Sequence, residues 1–181
     1  MRIFLIFVAL FAGLVAGLAT AGVPERLSVA APESNAVHAV RNLINRCIPG
    51  IRSGNAMPAS GLTRVAATEE ATILGGRRGR VWLDGQERLL FIDFEDAPVC
   101  RVVALSVDPA VLADLVLRVF AEADGVFRRE RLRLDRDGIF SAVFSTHSGN
   151  VPLVIRITTT RQDNGNIFAA LTVERRIPEP S

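Results

Sequence analysis

The densest group of carboxylates in this 181-residue chain is Asp93, Glu95 and Asp96, with Asp84 and Glu87 on the far side of a short turn. Paired carboxylates can serve acid–base hydrolysis or hold calcium. The spacing matches no calcium-loop pattern, and Asp93 and Glu95 take alternate positions at the end of a strand-like run. The group therefore reads as a solvated strand face balanced by neighbouring arginines. Nucleophiles are poorly served. No Gly-x-Ser-x-Gly elbow occurs, and Ser148 directly follows His147 in Thr146-His147-Ser148-Gly149-Asn150, which suits a hairpin loop and not a triad assembled by the fold. Gly75-Gly76-Arg77-Arg78-Gly79 has neither the spacing nor the lysine of a phosphate-cradling loop and reads as a turn. Two cysteines and two histidines, His38 and His147, are too few and too scattered to suggest a metal site. No cofactor is expected.

The densest basic group is Arg128, Arg129, Arg131, Arg133 and Arg136. On a regular strand Arg129, Arg131 and Arg133 project from one side, where guanidinium forks could grip a partner bearing carboxylates or phosphates. The same row is also what keeps an edge or outer-face strand soluble. Glu130, Asp135 and Asp137 dilute the field, and no tyrosine or tryptophan is interleaved for base stacking. The formal net charge is only +2, carried entirely by arginine because lysine is absent. Near-cancelling charge argues against a nucleic-acid partner or an anionic membrane surface.

Met1 to Ala21 has the form of a secretory signal: Arg2, an apolar run from Ile3 through Ala19, then Ala19-Thr20-Ala21 as a small-residue cleavage site. Its alternative is an uncleaved anchor, since the run approaches the roughly 17 residues of a short spanning helix. Export, with a mature chain from Gly22, places Cys47 and Cys100 in an oxidising compartment, where one disulfide is the natural expectation. Such a bond closes a loop of about 53 residues and stabilises by roughly 3–4 kcal/mol on the chain-entropy view.

The elements that must position these groups follow from periodicity. Asp108 and Pro109 are an N-cap and first helical residue, and Leu112, Leu115, Val116, Val119, Phe120 and Ala123 recur on one face up to a stop at Gly125. A second helix runs from an N-cap at Ser34 through Ala36, Val40, Leu43 and Cys47 to Pro49-Gly50, so that Cys47 faces inward in the last turn. His38 falls on its polar flank and reads as exposed. Ile51 to Gly61 is a loop, and Leu62 to Leu74 is ambiguous, leaning to helix or irregular structure. Strands are expected at Arg80–Leu83, Arg88–Phe94, Val99–Leu105, Phe127–Leu134, Ile139–Ser145, Val151–Thr159 and Ile167–Arg175, with turns at Asp84-Gly85, Asp137-Gly138 and Asn164-Gly165. The last two strands alternate cleanly, Val151, Leu153, Ile155 and Ile157 against Arg156, Thr158 and Thr160, then Ile167, Ala169, Leu171 and Val173 against Phe168, Thr172 and Glu174, so that one face packs and the other is largely wet. Trp82 anchors sheet packing. The reading is an α+β fold: an antiparallel sheet of about seven strands (three, a helix, then four) with two main helices on one face. Residues 22–33 form a flexible lead-in, 34–176 a single domain and 177–181 a disordered tail.

An export signal, the cysteine-ended helix Leu43-Ile44-Asn45-Arg46-Cys47, the hairpin segment Val81-Trp82-Leu83 and the strand opening Pro98-Val99-Cys100-Arg101-Val102 together resemble small uncharacterised exported proteins of proteobacteria. The resemblance implies an envelope location and a helix-to-strand disulfide, and it carries no activity with it.

The functional expectation is a non-catalytic periplasmic binding domain, with Arg129, Arg131 and Arg133 as the candidate contact and an envelope protein or small ligand as partner. Two alternatives stand beside it. One is a secreted inhibitor presenting the Thr146–Asn150 loop, and the other an envelope hydrolase using the carboxylates near Asp93.

Overall fold

The computed structural model describes residues 32–86, 88–121, 126–135, 139–146 and 151–176. The expected signal segment, Glu87, the helix stop at Gly125, the Asp137-Gly138 turn, His147 with the rest of its loop, and the tail lie outside them.

The first helix, α1, comprises Pro32–Asn42, a π-helical turn Leu43–Cys47, and Ile48–Ser53. It opens two residues before the expected cap at Ser34, and it does not stop at Pro49-Gly50. The π-helical turn explains the difference: the Ile48 N–H reaches back to the Leu43 carbonyl, so the ladder has widened by one residue just before the proline that cannot donate. The helix ends instead at Gly54, in the left-handed conformation at φ +71°. A short strand β1 (Thr63–Arg64) and a short helix α2 (Ala67–Leu74) occupy the ambiguous stretch. Strands β2 (Gly79–Asp84), β3 (Leu89–Phe94) and β4 (Val99–Ala104) follow. Helix α3 is Pro109–Val116 continued by a π-helical segment Leu117–Ala121. Asp108 caps it as its position predicts, accepting from the amides of Ala110 (2.8 Å) and Val111 (3.1 Å). Then come β5 (Phe127–Leu134), β6 (Phe140–Thr146), β7 (Leu153–Arg161) and β8 (Ile167–Arg175).

All eight strands form one antiparallel sheet in the order β1-β2-β3-β4-β8-β7-β6-β5. The architecture is α+β, with one strand more than expected because a two-residue pairing such as Thr63 with Leu83 is too short to leave a period in the sequence. Each half of the chain is a meander of four strands. The second meander is laid against the first so that its last strand, β8, pairs with β4 over Val99–Ala104. β5 is thereby left at the outer edge.

Helices α1 and α3 lie on one face and close the main core. Leu43, Phe91, Leu112, Phe120, Phe140, Phe144, Ile155 and Leu171 are fully buried there, along with Trp82 nearly so. Phe120 meets Phe127 edge-on at 5.0 Å, fixing the end of α3 over the start of β5. A second, smaller core lies on the opposite face, where Leu74 of α2 packs with Val81, Leu90, Ile92, Phe94 and Val103. The helices are therefore not all on one face. Covering on both sides explains why β3 is buried at every position and is apolar throughout except for Asp93. Helix α2 is tied down by Glu70, whose buried carboxylate takes the Arg64 guanidinium at 3.0 and 3.2 Å and the Val81 amide at 3.0 Å. Gly79 admits no side chain, since a Cβ there would stand 2.6 Å from the Asp93 carbonyl oxygen.

Cys47 of α1 is bonded to Cys100 of β4, with Cα atoms 5.4 Å apart. Both residues are buried. Because the two sulfurs act as one unit, Cys47→Ser and Cys100→Ser should lower stability by similar amounts, on the order of 2–5 kcal/mol, and the double variant should be no worse than either. Denaturant unfolding of the three variants checks this; additive losses contradict it.

Candidate functional site

The arginine strand is not arranged as regular alternation requires. Arg129 pairs with Phe144, but Arg131 pairs with Val143, so Glu130 is an inserted bulge residue that shifts the register by one. Since residues directly opposite point to the same side of a sheet, Arg129 shares the helix-bearing side with Phe144. Arg128, Arg131 and Arg133 share the other side with Ser145, Val143 and Ser141. The expectation that Arg129, Arg131 and Arg133 form one row is therefore corrected: Arg128 takes the place of Arg129. Glu130 itself turns to Arg176, at 3.6 Å.

Reading across the strands extends the row. Arg131, Val143, Arg156, Thr172 and Arg101 are successive partners on one face. Flanking them are the rows Arg133, Ser141, Thr158, Ala170 and Val103 on one side, and Arg128, Ser145, Val154, Glu174 and Val99 on the other. Glu174 is the one acid in these three rows, and it accepts from Arg156 at 2.9 Å. Arg101 donates to Thr172 at 3.0 Å and is largely sunk into the face. Burial lowers its guanidinium pKa first, with a further push from the charge of Arg77. Toward β5 the arginines stand free of acids: no ion pair joins Arg128, Arg131 or Arg133 among the described residues.

β5 is exposed at every position after Phe127. On its helix-bearing side Leu132 and Leu134 pair with Ala142 and Phe140, yet they remain 39% and 58% exposed. The contact of α3 with the sheet is centred on Phe127 and Phe144, at the other end of the strand. The edge thus presents arginines on one face and uncovered leucines on the other, with no strand on its outer side among the described residues.

The carboxylates divide differently from expectation. Asp96 is bridged by Arg77 at 2.8 and 3.2 Å, and Glu95 by Arg80 at 2.9 Å, as a surface group balanced by arginines should be. Asp93 is not on a solvated face. It is 9% exposed, and its Oδ2 accepts the Met57 amide at 3.1 Å, because the segment following α1 folds over the end of β3. It lines a cleft of about 470 Å³ shared with Gly54, Asn55, Ala56, Glu95, Arg80 and Arg175. Burial pushes the Asp93 carboxyl above the ordinary aspartate range, with Glu95 adding to the shift and the Met57 amide and Arg80 opposing it. His38 is half-buried, not exposed. Among the described residues no three His, Cys, Asp or Glu side chains come together as a metal site, and no helix is long and apolar enough to cross a membrane.

Sequence reasoning missed two things here. Arg156 was legible as an outward residue of β7, but its alignment with Arg131 and Arg101 depends on the non-local pairing of β8 with β4. The bulge has no local signature, since Glu130 sits in an otherwise regular charged run.

A raised native pKa means that the folded protein holds the Asp93 proton more tightly than the unfolded chain. Stability is then lost as pH rises from the unfolded value near 3.8 through the higher native one. Asp93→Asn keeps an acceptor for Met57 and removes this loss. Relative to the parent, the variant should gain stability progressively as pH is raised through that window, measured by denaturant unfolding at several pH values; a difference independent of pH contradicts the assignment.

Comparison with protein-family models, with curated protein sequences and with solved structures finds no match. The functional reading rests on the geometry of the edge strand and the cleft.

Proposed function

We propose that this protein is an exported binding module that takes an extended, acidic segment of a protein partner along β5, without catalysing a reaction. The observation that carries the proposal is the two-faced edge itself: eight residues with arginines that have no ion pair among the described residues on one side and exposed leucines on the other. An open strand edge offers backbone donors and acceptors to an added strand, and its alternating side chains select the partner. Here the matching segment alternates acidic and apolar residues, so that carboxylates meet Arg128, Arg131 and Arg133 while apolar side chains cover Leu132 and Leu134.

Charge also discriminates against self-pairing. Two copies joined edge to edge would set arginine rows beside each other on one face, which is repulsive, whereas an acidic strand relieves the same charges. Export is supported by the buried disulfide, which forms and persists outside a reducing cytosol. For the hydrolase alternative, the cleft near Asp93 offers two carboxylates, each with one oxygen already bonded, Glu95 to Arg80 and Asp93 to the Met57 amide. The inhibitor alternative rests on the Thr146–Asn150 loop, of which only Thr146 is described.

The test places a photo-crosslinking amino acid at Leu132 and, as a control, at Glu69 on the exposed side of α2, and irradiates the protein in envelope extract from its source. The Leu132 probe should yield a discrete adduct that the Glu69 probe does not. Arg131→Glu combined with Arg133→Glu should abolish it, and rising salt should weaken it. Adducts identical at both positions, or insensitive to the charge reversal, contradict the proposal.

A further inference from the structure

We infer that the cleft beside Asp93 is a binding site for an alkylammonium group, independent of the β5 edge. Its floor is a carboxyl group that is nine-tenths buried and has one oxygen, Oδ2, occupied by the Met57 amide; for Oδ1 the described residues provide no donor. A carboxylate held out of water in this way is costly unless a cation or further donors reach it.

The two arginines in the cleft do not meet that need. The guanidinium of Arg80 is held by Glu95 at 2.9 Å, and Nη2 of Arg175 donates to the Ile51 and Arg52 carbonyls at 3.0 and 3.4 Å, at the C-terminal end of α1. An anionic ligand could take the buried Nε of Arg175, which has no partner among the described residues, but it would meet both Asp93 and Glu95. A cation can reach Oδ1 of Asp93 directly from the cleft. The walls include the apolar side chains of Ile51, Ala56, Ala97 and Pro98, which suit an aliphatic stem. Stem and charge together describe the side chain of lysine or a free primary alkylamine. No lysine side chain of a second copy can be that ligand, because the sequence contains no lysine.

The experiment titrates the protein at neutral pH with n-butylamine, n-butanol and butyrate while following backbone amide resonances of the 54–57 segment and of residues 93–95. Butylammonium should give saturable shifts at these amides, and the neutral and anionic analogues should not. Asp93→Asn should weaken the amine by about tenfold or more, the equivalent of one charge-assisted contact. Ala56→Phe, which obstructs the cleft from an exposed wall and leaves Asp93 in place, should do the same, so the result does not hang on one variant folding. Nα-acetyl-lysine methylamide separates the sources: tighter binding than butylamine assigns the group to a polypeptide, and weaker binding to a free amine. No saturable shift with any amine, equal response to butyrate, or unchanged affinity in both variants overturns the inference.

Discussion

Strand β4 is held from two directions at once, and the rest of the molecule follows from that. Along its length it pairs with β8, the contact that makes one sheet of two meanders lying far apart in sequence. From above, Cys100 at its start is covalently tied to Cys47 of α1. Loop-closure entropy opposes both contacts, because each joins segments separated by more than 50 residues. The disulfide removes part of that cost in the unfolded chain, and the buried aromatic residues under α1 and α3 supply the favourable term, at about 1.5–3 kcal/mol for each fully buried large side chain. β4 is where the covalent staple, the main core and the smaller core under α2 all meet.

With β8 at the seam, the second meander runs outward and β5 has nowhere to go but the edge. Natural edge strands are commonly short, bulged or charged, which blocks indiscriminate pairing. β5 is bulged at Glu130 and charged, yet it is eight residues long and keeps two leucines uncovered. The opposite edge, by comparison, ends in the two-residue β1 and is braced by Arg64 and Glu70. This asymmetry between the edges is what distinguishes a surface made selective from one merely made safe. In the reading proposed here, a mainly basic face with an apolar flank disfavours a second copy and suits a partner of opposite sign.

Local chemistry was legible and non-local chemistry was not. The Asp108-Pro109 cap, the turn at Asn164-Gly165 and the two full-length strands flanking it could be read because each depends on a few consecutive residues. Pro49-Gly50 misled for a physical reason: the π-helical turn at Leu43–Cys47 carries α1 past a residue that ordinarily ends a helix. Asp93 had the spacing of an outward strand residue, and only the return of the Met57 segment over β3 makes it buried. Phe168 and Thr172 had the spacing of a wet face, but both are nearly inaccessible, and Thr172 accepts from the long side chain of Arg101. Glu70 stood in the least readable stretch of the chain and proved to be the anchor of α2.

The measurement that bears most directly on this account is native-state hydrogen exchange, resolved by residue, on the isolated protein with its disulfide intact. Amides shared between β4 and β8 should exchange only through global unfolding, while those amides of β5 that point away from β6 should exchange faster by orders of magnitude, as an uncovered edge requires. Outward amides of β5 as well protected as the β4–β8 seam would mean that the edge is already occupied and that the seam is not the organising contact.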